Sequence, residues 1–84
     1  MPEWPKWWSW DLELSTHLLK RMVDREFTEV DLRAMLDAAT GLRADVEPGR
    51  WVIQTRHDGR PWEVIVEPLE AEQTLLVITA FPVG

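Results

Sequence analysis

Cysteine is absent from this 84-residue chain. That excludes a disulfide scaffold, a thiolate metal site and a cysteine nucleophile. Glycine is scarce, with four residues in all, and none belongs to a Gly-rich phosphate loop or a G-x-S-x-G nucleophile turn. The two histidines, His17 and His57, lie far apart. No His-x-x-x-His pair or acidic calcium loop accompanies them, so neither a metal nor another cofactor is expected. Long apolar runs are missing as well. Nothing approaches the roughly 18 residues of a membrane helix, and no membrane association is expected. The first ten residues carry one lysine and no uninterrupted apolar core, so they do not read as a signal peptide. Together with the absent cysteines, this makes a cytoplasmic location the expectation. Positive charge is also in short supply. The net charge is -6, whereas nucleic-acid binders usually carry a basic excess. Tight non-specific binding to nucleic acid is disfavoured, and a local basic cleft is the remaining route.

The hydrophobic fraction of 45% is that of a folded globular protein. The length suits one domain, and six tryptophans can supply much of its buried area. Four of them, Trp4, Trp7, Trp8 and Trp10, fall in the first ten residues with Pro2 and Pro5, which disfavour regular structure there. The chain therefore divides into a Trp-rich N-terminal arm, residues 1–11, and a single α+β domain, residues 12–84. Packing of the arm's indoles over the core or self-association is favoured over display for a partner or for base stacking.

Ser15 or Thr16 can cap a helix running to about Arg25, with Leu18, Leu19, Met22 and Val23 as its apolar face. Thr28 followed by Asp31 resembles a capping box opening a second helix, whose apolar stripe is Leu32, Met35, Leu36 and Ala39. Gly41 is placed to stop that helix in a left-handed conformation. The period then changes to that of strands. Residues 42–47 form a possible short strand, and Pro48-Gly49 a turn. Residues 51–57 alternate, Asp58-Gly59 is a strong hairpin signal, and residues 62–67 alternate again until Pro68 closes the strand. Residues 74–81 are nearly continuously apolar, as in a central strand. The expected architecture is α+β, with two N-terminal helices packed on a three- to four-stranded antiparallel sheet.

The stretch from Ser15 to Arg25 carries the chemistry. On a helix His17, Arg21 and Arg25 fall at i, i+4 and i+8 and form one stripe at the border of the apolar face. A titratable imidazole beside two permanent cations suits a phosphate-handling site. Ordinary surface ion pairing is the competing account of the arginines. Thr79 is a hydroxyl inside the last apolar run and can be aimed at a ligand, though threonine is also common in strands. Arg43 could join a basic cleft. Arg56 and His57 adjoin the hairpin tip, where exposure without function is the ordinary case.

The order His17-x-x-x-Arg21-Met22-x-x-Arg25, a second helix opened by Thr28-Glu29-x-Asp31, a hairpin, and then Val77-Ile78-Thr79-Ala80-Phe81-Pro82 resembles a bacterial family of small uncharacterised domains. The resemblance spans about residues 12 to 82. Where that family usually has glycine after the helical arginine, this chain has Glu26. The family is thought to belong to the barnase–EndoU–colicin–RelE group of nuclease folds. The resemblance implies a RelE/barnase-like fold and a metal-independent, toxin-like RNA endonuclease. His17, Arg21, Arg25 and Thr79 would be its catalytic residues, RNA its substrate and an antitoxin its partner. A non-catalytic protein-interaction module of the same fold is the alternative. It would contact another protein, or a second copy of itself, through its acidic surface and Trp-rich arm.

Overall fold

The computed structural model describes residues 4–83. Pro2 and the ends of the arm and of the domain, residues 1–3 and 84, lie outside them. Pro5 precedes a single 3-10 turn, Lys6–Ser9. Strand β1 (Asp11–Leu14) comes next, then helices α1 (Thr16–Asp24) and α2 (Glu29–Asp37). Four strands complete the chain: β2 (Gly41–Ala44), β3 (Trp51–His57), β4 (Arg60–Leu69) and β5 (Thr74–Pro82).

The expected three- to four-stranded antiparallel sheet is corrected to a five-stranded mixed one. Its order is β1-β5-β4-β3-β2. Strand β1 runs parallel to β5, from Asp11 opposite Thr74 to Leu14 opposite Val77, and the other pairs are antiparallel. Four residues are too few to show a convincing period of two, and their partner lies some sixty residues away, so no local signal announces this strand.

Both helices begin where their caps dictate. Ser15 Oγ accepts the Leu18 N–H at 3.0 Å. Thr28 and Asp31 complete a reciprocal capping box, each side chain bonding the other's backbone N–H. These bonds satisfy donors that the first helical turn leaves without partners. The Asp31 carboxyl is held below its usual pKa. The Thr28 N–H is the main cause; the Thr28 hydroxyl and the nearby His57 act in the same sense, and desolvation opposes them. Helix α1 ends in a Schellman turn. The Phe27 N–H bonds the Met22 carbonyl at 3.1 Å and the Glu26 N–H the Val23 carbonyl at 3.4 Å, with Glu26 left-handed at φ 54°. Position 26 is thus the one that favours glycine.

Gly41 does not stop α2 as expected. The helix ends at Asp37, and Gly41 opens β2 opposite Gln54, outside the positive-φ region. A Cβ there would press on the amide end of the exposed Gln54 side chain, which can turn aside, so the residue's place is set by its pairing with β3 and not by a conformation or space that only glycine provides. Pro68 does not close β4 either. The strand continues to Leu69, and Pro68 sits past the last residue paired with β3, Val66, where no N–H is needed on that side. The β3–β4 hairpin turns at Asp58 and Gly59, both at positive φ (52° and 73°), as a type I′ turn requires.

One sheet face is covered by both helices. Val64, Val66, Val77, Ile53 and Leu75 meet Leu18, Leu32, Met35 and Phe27 in a single core. Burial of each such side chain is worth about 1.5–3 kcal/mol. The N-terminal segment is part of this core: Trp7 is 6% exposed, and its ring lies 6.0 Å from that of Trp51. The strand register puts Glu63, Ile65, Thr79 and Phe81 on the opposite, helix-free face. Ion pairs Arg43–Glu63 (3.4 Å) and Arg50–Glu67 (3.3 Å) cross it.

Candidate functional site

The helix carrying the His/Arg stripe and the strand carrying Thr79 are packed together. Strand β1 pairs only with the first half of β5. Beyond it, the next carbonyls on that edge of β5 are taken by residues at the two ends of α1. Ser15 Oγ donates to the Ile78 carbonyl at 2.7 Å, and an Arg25 Nη1–H donates to the Ala80 carbonyl at 3.1 Å. Helical side chains lean toward the N-terminus. Arg25 therefore reaches back along α1 to a carbonyl two residues from the one Ser15 holds. Edge carbonyls that would otherwise face solvent or another strand acquire fixed donors.

Thr79 lies between these two anchored carbonyls. Its register partner is Ile65, and a bulge separates the Ile65 and Val66 pairings. That bulge supplies Ile78 as an extra residue in β5 and lets successive carbonyls, Val77 and Ile78, both meet Ser15. Thr79 is half-buried.

His17 and Arg21 occupy the turns of α1 between the anchors. His17 is exposed, and among the described residues it makes no hydrogen bond or ion pair. Arg21 is half-buried and pairs with Asp24 at 3.5 Å, an i,i+3 contact, so exposed that it contributes little to stability. Arg25 already spends one donor on Ala80 and keeps the rest of its five-donor fork. The structure therefore brings together α1, with His17, Arg21 and Arg25, and the segment flanking Thr79. This arrangement offers an accessible imidazole and two guanidinium groups along one helix–strand seam, while the register turns the Thr79 side chain to the opposite, helix-free face, so the hydroxyl does not join them.

The remaining candidates lie elsewhere. Arg43 is tied to Glu63 on the helix-free face and does not join the stripe. His57, half-buried, stands edge-on to Trp62 with ring centroids 5.3 Å apart. Among the described residues no group of three or more His, Asp or Glu side chains is placed to hold a metal ion. None of their helices is long and apolar enough to cross a membrane.

A concavity of about 330 Å³ lies between the N-terminal segment and α2, lined by Trp8, Trp10, Leu12, Leu36, Arg33 and Asp37. Little in the sequence announces it. The only local sign is the i, i+4 spacing of Arg33 and Asp37, which reads as a solvated helix face until the tryptophans are placed beside it. The family model described as Domain of unknown function (DUF4258) matches residues 14–82. No curated protein and no solved structure matches the chain.

Proposed function

We propose, from the premise that the chain belongs to the DUF4258 family, that it is a metal-independent RNA endonuclease of the toxin type, with kinship to the barnase–EndoU–colicin–RelE group. The observation that supports this reading is the double anchoring of β5 by Ser15 and Arg25 on either side of Thr79. It fixes α1, which carries the stripe, to the last strand and leaves the imidazole of His17 without a structural partner among the described residues.

In this reading His17 takes the proton of a ribose 2′-hydroxyl, and the freed oxygen attacks the adjacent phosphorus. The bond from phosphorus to the 5′ oxygen breaks, and water protonates the leaving oxygen. The products are a 2′,3′-cyclic phosphate and a 5′-hydroxyl. Arg21 and the free donors of Arg25 face the added negative charge. Cationic groups fixed before reaction stabilise a developing charge more than mobile solvent does. RNA is the partner in catalysis, an antitoxin is the controlling partner, and the cytoplasm is the compartment.

Purified protein is expected to cleave RNA in the presence of a chelator. His17→Ala should lower the rate by about 10²–10⁴-fold. Because His17 is exposed, the variant should keep the unfolding midpoint of the parent. A wild-type protein without chelator-resistant cleavage sinks this reading.

One observation favours a second reading, a non-catalytic protein-interaction module. Leu19 and Val23, one turn apart on α1, are 50% and 78% exposed, and Val30 on α2 is 76% exposed. Apolar side chains on the solvent side of two helices suit a protein partner or a second copy. The Trp-rich arm enters this reading through Trp4 and Trp8, which stack at 4.4 Å. A Leu19→Ser, Val23→Ser variant that elutes as wild type does, with wild type itself monomeric in sedimentation, counts against self-association.

A further inference from the structure

We propose that the helix-free face of the sheet is an interface between two copies of this chain, packed face to face about a two-fold axis. The centre of this face is apolar. Ile65 and Phe81 are half-buried on it, and so is Leu76, which stands opposite Glu67 in the register. Val52, opposite Ile65, is 1% exposed and yet lies outside the core that the helices cover. Single apolar side chains on a surface need no explanation. A contiguous apolar strip rimmed by charge marks an interaction site.

The rim identifies a second copy as the occupant. On one side, Glu13 of β1 stands opposite Leu76 and so shares this face. It is exposed, and among the described residues it takes part in no hydrogen bond or ion pair. On the other side, Arg50 adjoins β3 and donates through Nε to Glu67 at 3.3 Å, which leaves its Nη donors free. Glu13, Leu76 and Glu67 share one register row. The acid and the base therefore stand at one height along the strands, on opposite sides of the apolar centre. A two-fold axis running along the strands between β4 and β5 keeps that height and exchanges the sides. It lays β3 of each copy over β1 of the other and sets Arg50 of one against Glu13 of the other, twice in the dimer. A patch that complements itself in this way is what a two-fold interface requires, and the opposed charges fix its register.

The size agrees. Five strands, seven to ten residues long in the three central ones and about 4.8 Å apart, present a face of about 500–600 Å². Two such faces bury about 1,000–1,200 Å², the low end for specific interfaces, which makes the dimer weak and reversible. The pairs Arg43–Glu63 and Arg50–Glu67 are already formed within each copy, so neither enters the contact as a lone buried charge. The inference is independent of the endonuclease reading. Helix α1, with His17 and Arg21, lies on the other side of the sheet and stays accessible in the dimer.

Sedimentation equilibrium of the full chain tests the proposal. With rising concentration the wild type is expected to pass from 9.8 kDa toward twice that mass, and less readily at high salt. Glu13→Arg and Arg50→Glu should each weaken self-association about tenfold or more, because each sets like charges against one another. Mixed in equal amounts, the two variants should associate with each other as tightly as the wild type does with itself. Every Arg50–Glu13 contact is then again between a base and an acid, and a misfolded variant could not produce that recovery. A wild type that stays monomeric at millimolar concentration overturns the second copy as occupant and leaves the face to a different protein. A mixture that stays monomeric while the wild type dimerises overturns this face as the interface. The Leu19→Ser, Val23→Ser variant should dimerise as the wild type does, and its failure to do so moves the interface to the helices. His17→Ala should also dimerise. Absence of cleavage by a dimeric wild type defeats only the endonuclease reading, whereas cleavage by a strictly monomeric one defeats only this inference.

Discussion

Replacing Ser15 with alanine removes two bonds that meet in one hydroxyl. Ser15 Oγ accepts the Leu18 N–H at 3.0 Å and donates to the Ile78 carbonyl at 2.7 Å. Loss of an N-cap acceptor costs about 1 kcal/mol. The carbonyl left without its donor in a part-buried position costs about 1 kcal/mol more. The sum, about 2 kcal/mol, corresponds to a fall of about 8–16 °C in the melting temperature of a domain this size. Three variants separate the two contributions in urea or thermal unfolding. Ser15→Thr keeps acceptor and donor and should stay close to the parent. Ser15→Asp keeps the acceptor, lacks the donor and sets a carboxylate against a carbonyl, so it should lose stability although aspartate is a good cap. Ser15→Ala loses both. An alanine variant within about 0.5 kcal/mol of the parent refutes the clamp, because that is the scatter expected of inconsequential surface changes. An aspartate variant as stable as the parent refutes the part assigned to Ile78.

Trp7→Ala should cost about 3–5 kcal/mol in chemical unfolding, the range for truncating a buried aromatic, since Trp7 is 6% exposed within the core. Glu26→Gly should stabilise the chain by about 0.5–1 kcal/mol in the same assay, because residue 26 stands at φ 54°, where a side chain is strained and glycine is not. The lowered pKa of Asp31 implies a contribution to stability that is fully present above pH 3.8, the ordinary value, and fades as pH falls toward the folded-state pKa. Asp31→Asn should accordingly flatten the acid limb of a stability–pH profile, and an unchanged limb would argue against the capping box as its cause.

Local chemistry made much of the fold legible in the chain. Ser15 and the Thr28–Asp31 pair announce two helix starts because a cap bonds donors three residues away. Asp58-Gly59 announces a hairpin because few residue pairs accept two consecutive positive φ angles. Gly41 misled, since a glycine just past an apolar helical stripe looks like a helix stop. Its place is instead the start of β2, set by pairing with Gln54 thirteen positions away. At the candidate site the spacing of His17, Arg21 and Arg25 was visible from helical periodicity. The engagement of Arg25 with the Ala80 carbonyl was not, because nothing in a helix's own pattern names its strand partner.

Relations between residues a few positions apart could be read directly: caps, turns, the alternation of β3 and β4, and a stripe of like chemistry on α1. Each rests on a bond or a period that closes within one turn or one hairpin. Three matters were left to the folded chain. These are the parallel docking of Asp11–Leu14 against Thr74–Val77, the entry of Trp7 into the core, and the meeting of Trp8 and Trp10 with Arg33 and Asp37. All three join residues brought together only when the sheet and helices close on a shared apolar interior. The energy that selects them is burial summed over the whole core, and it has no signature in a short window of sequence.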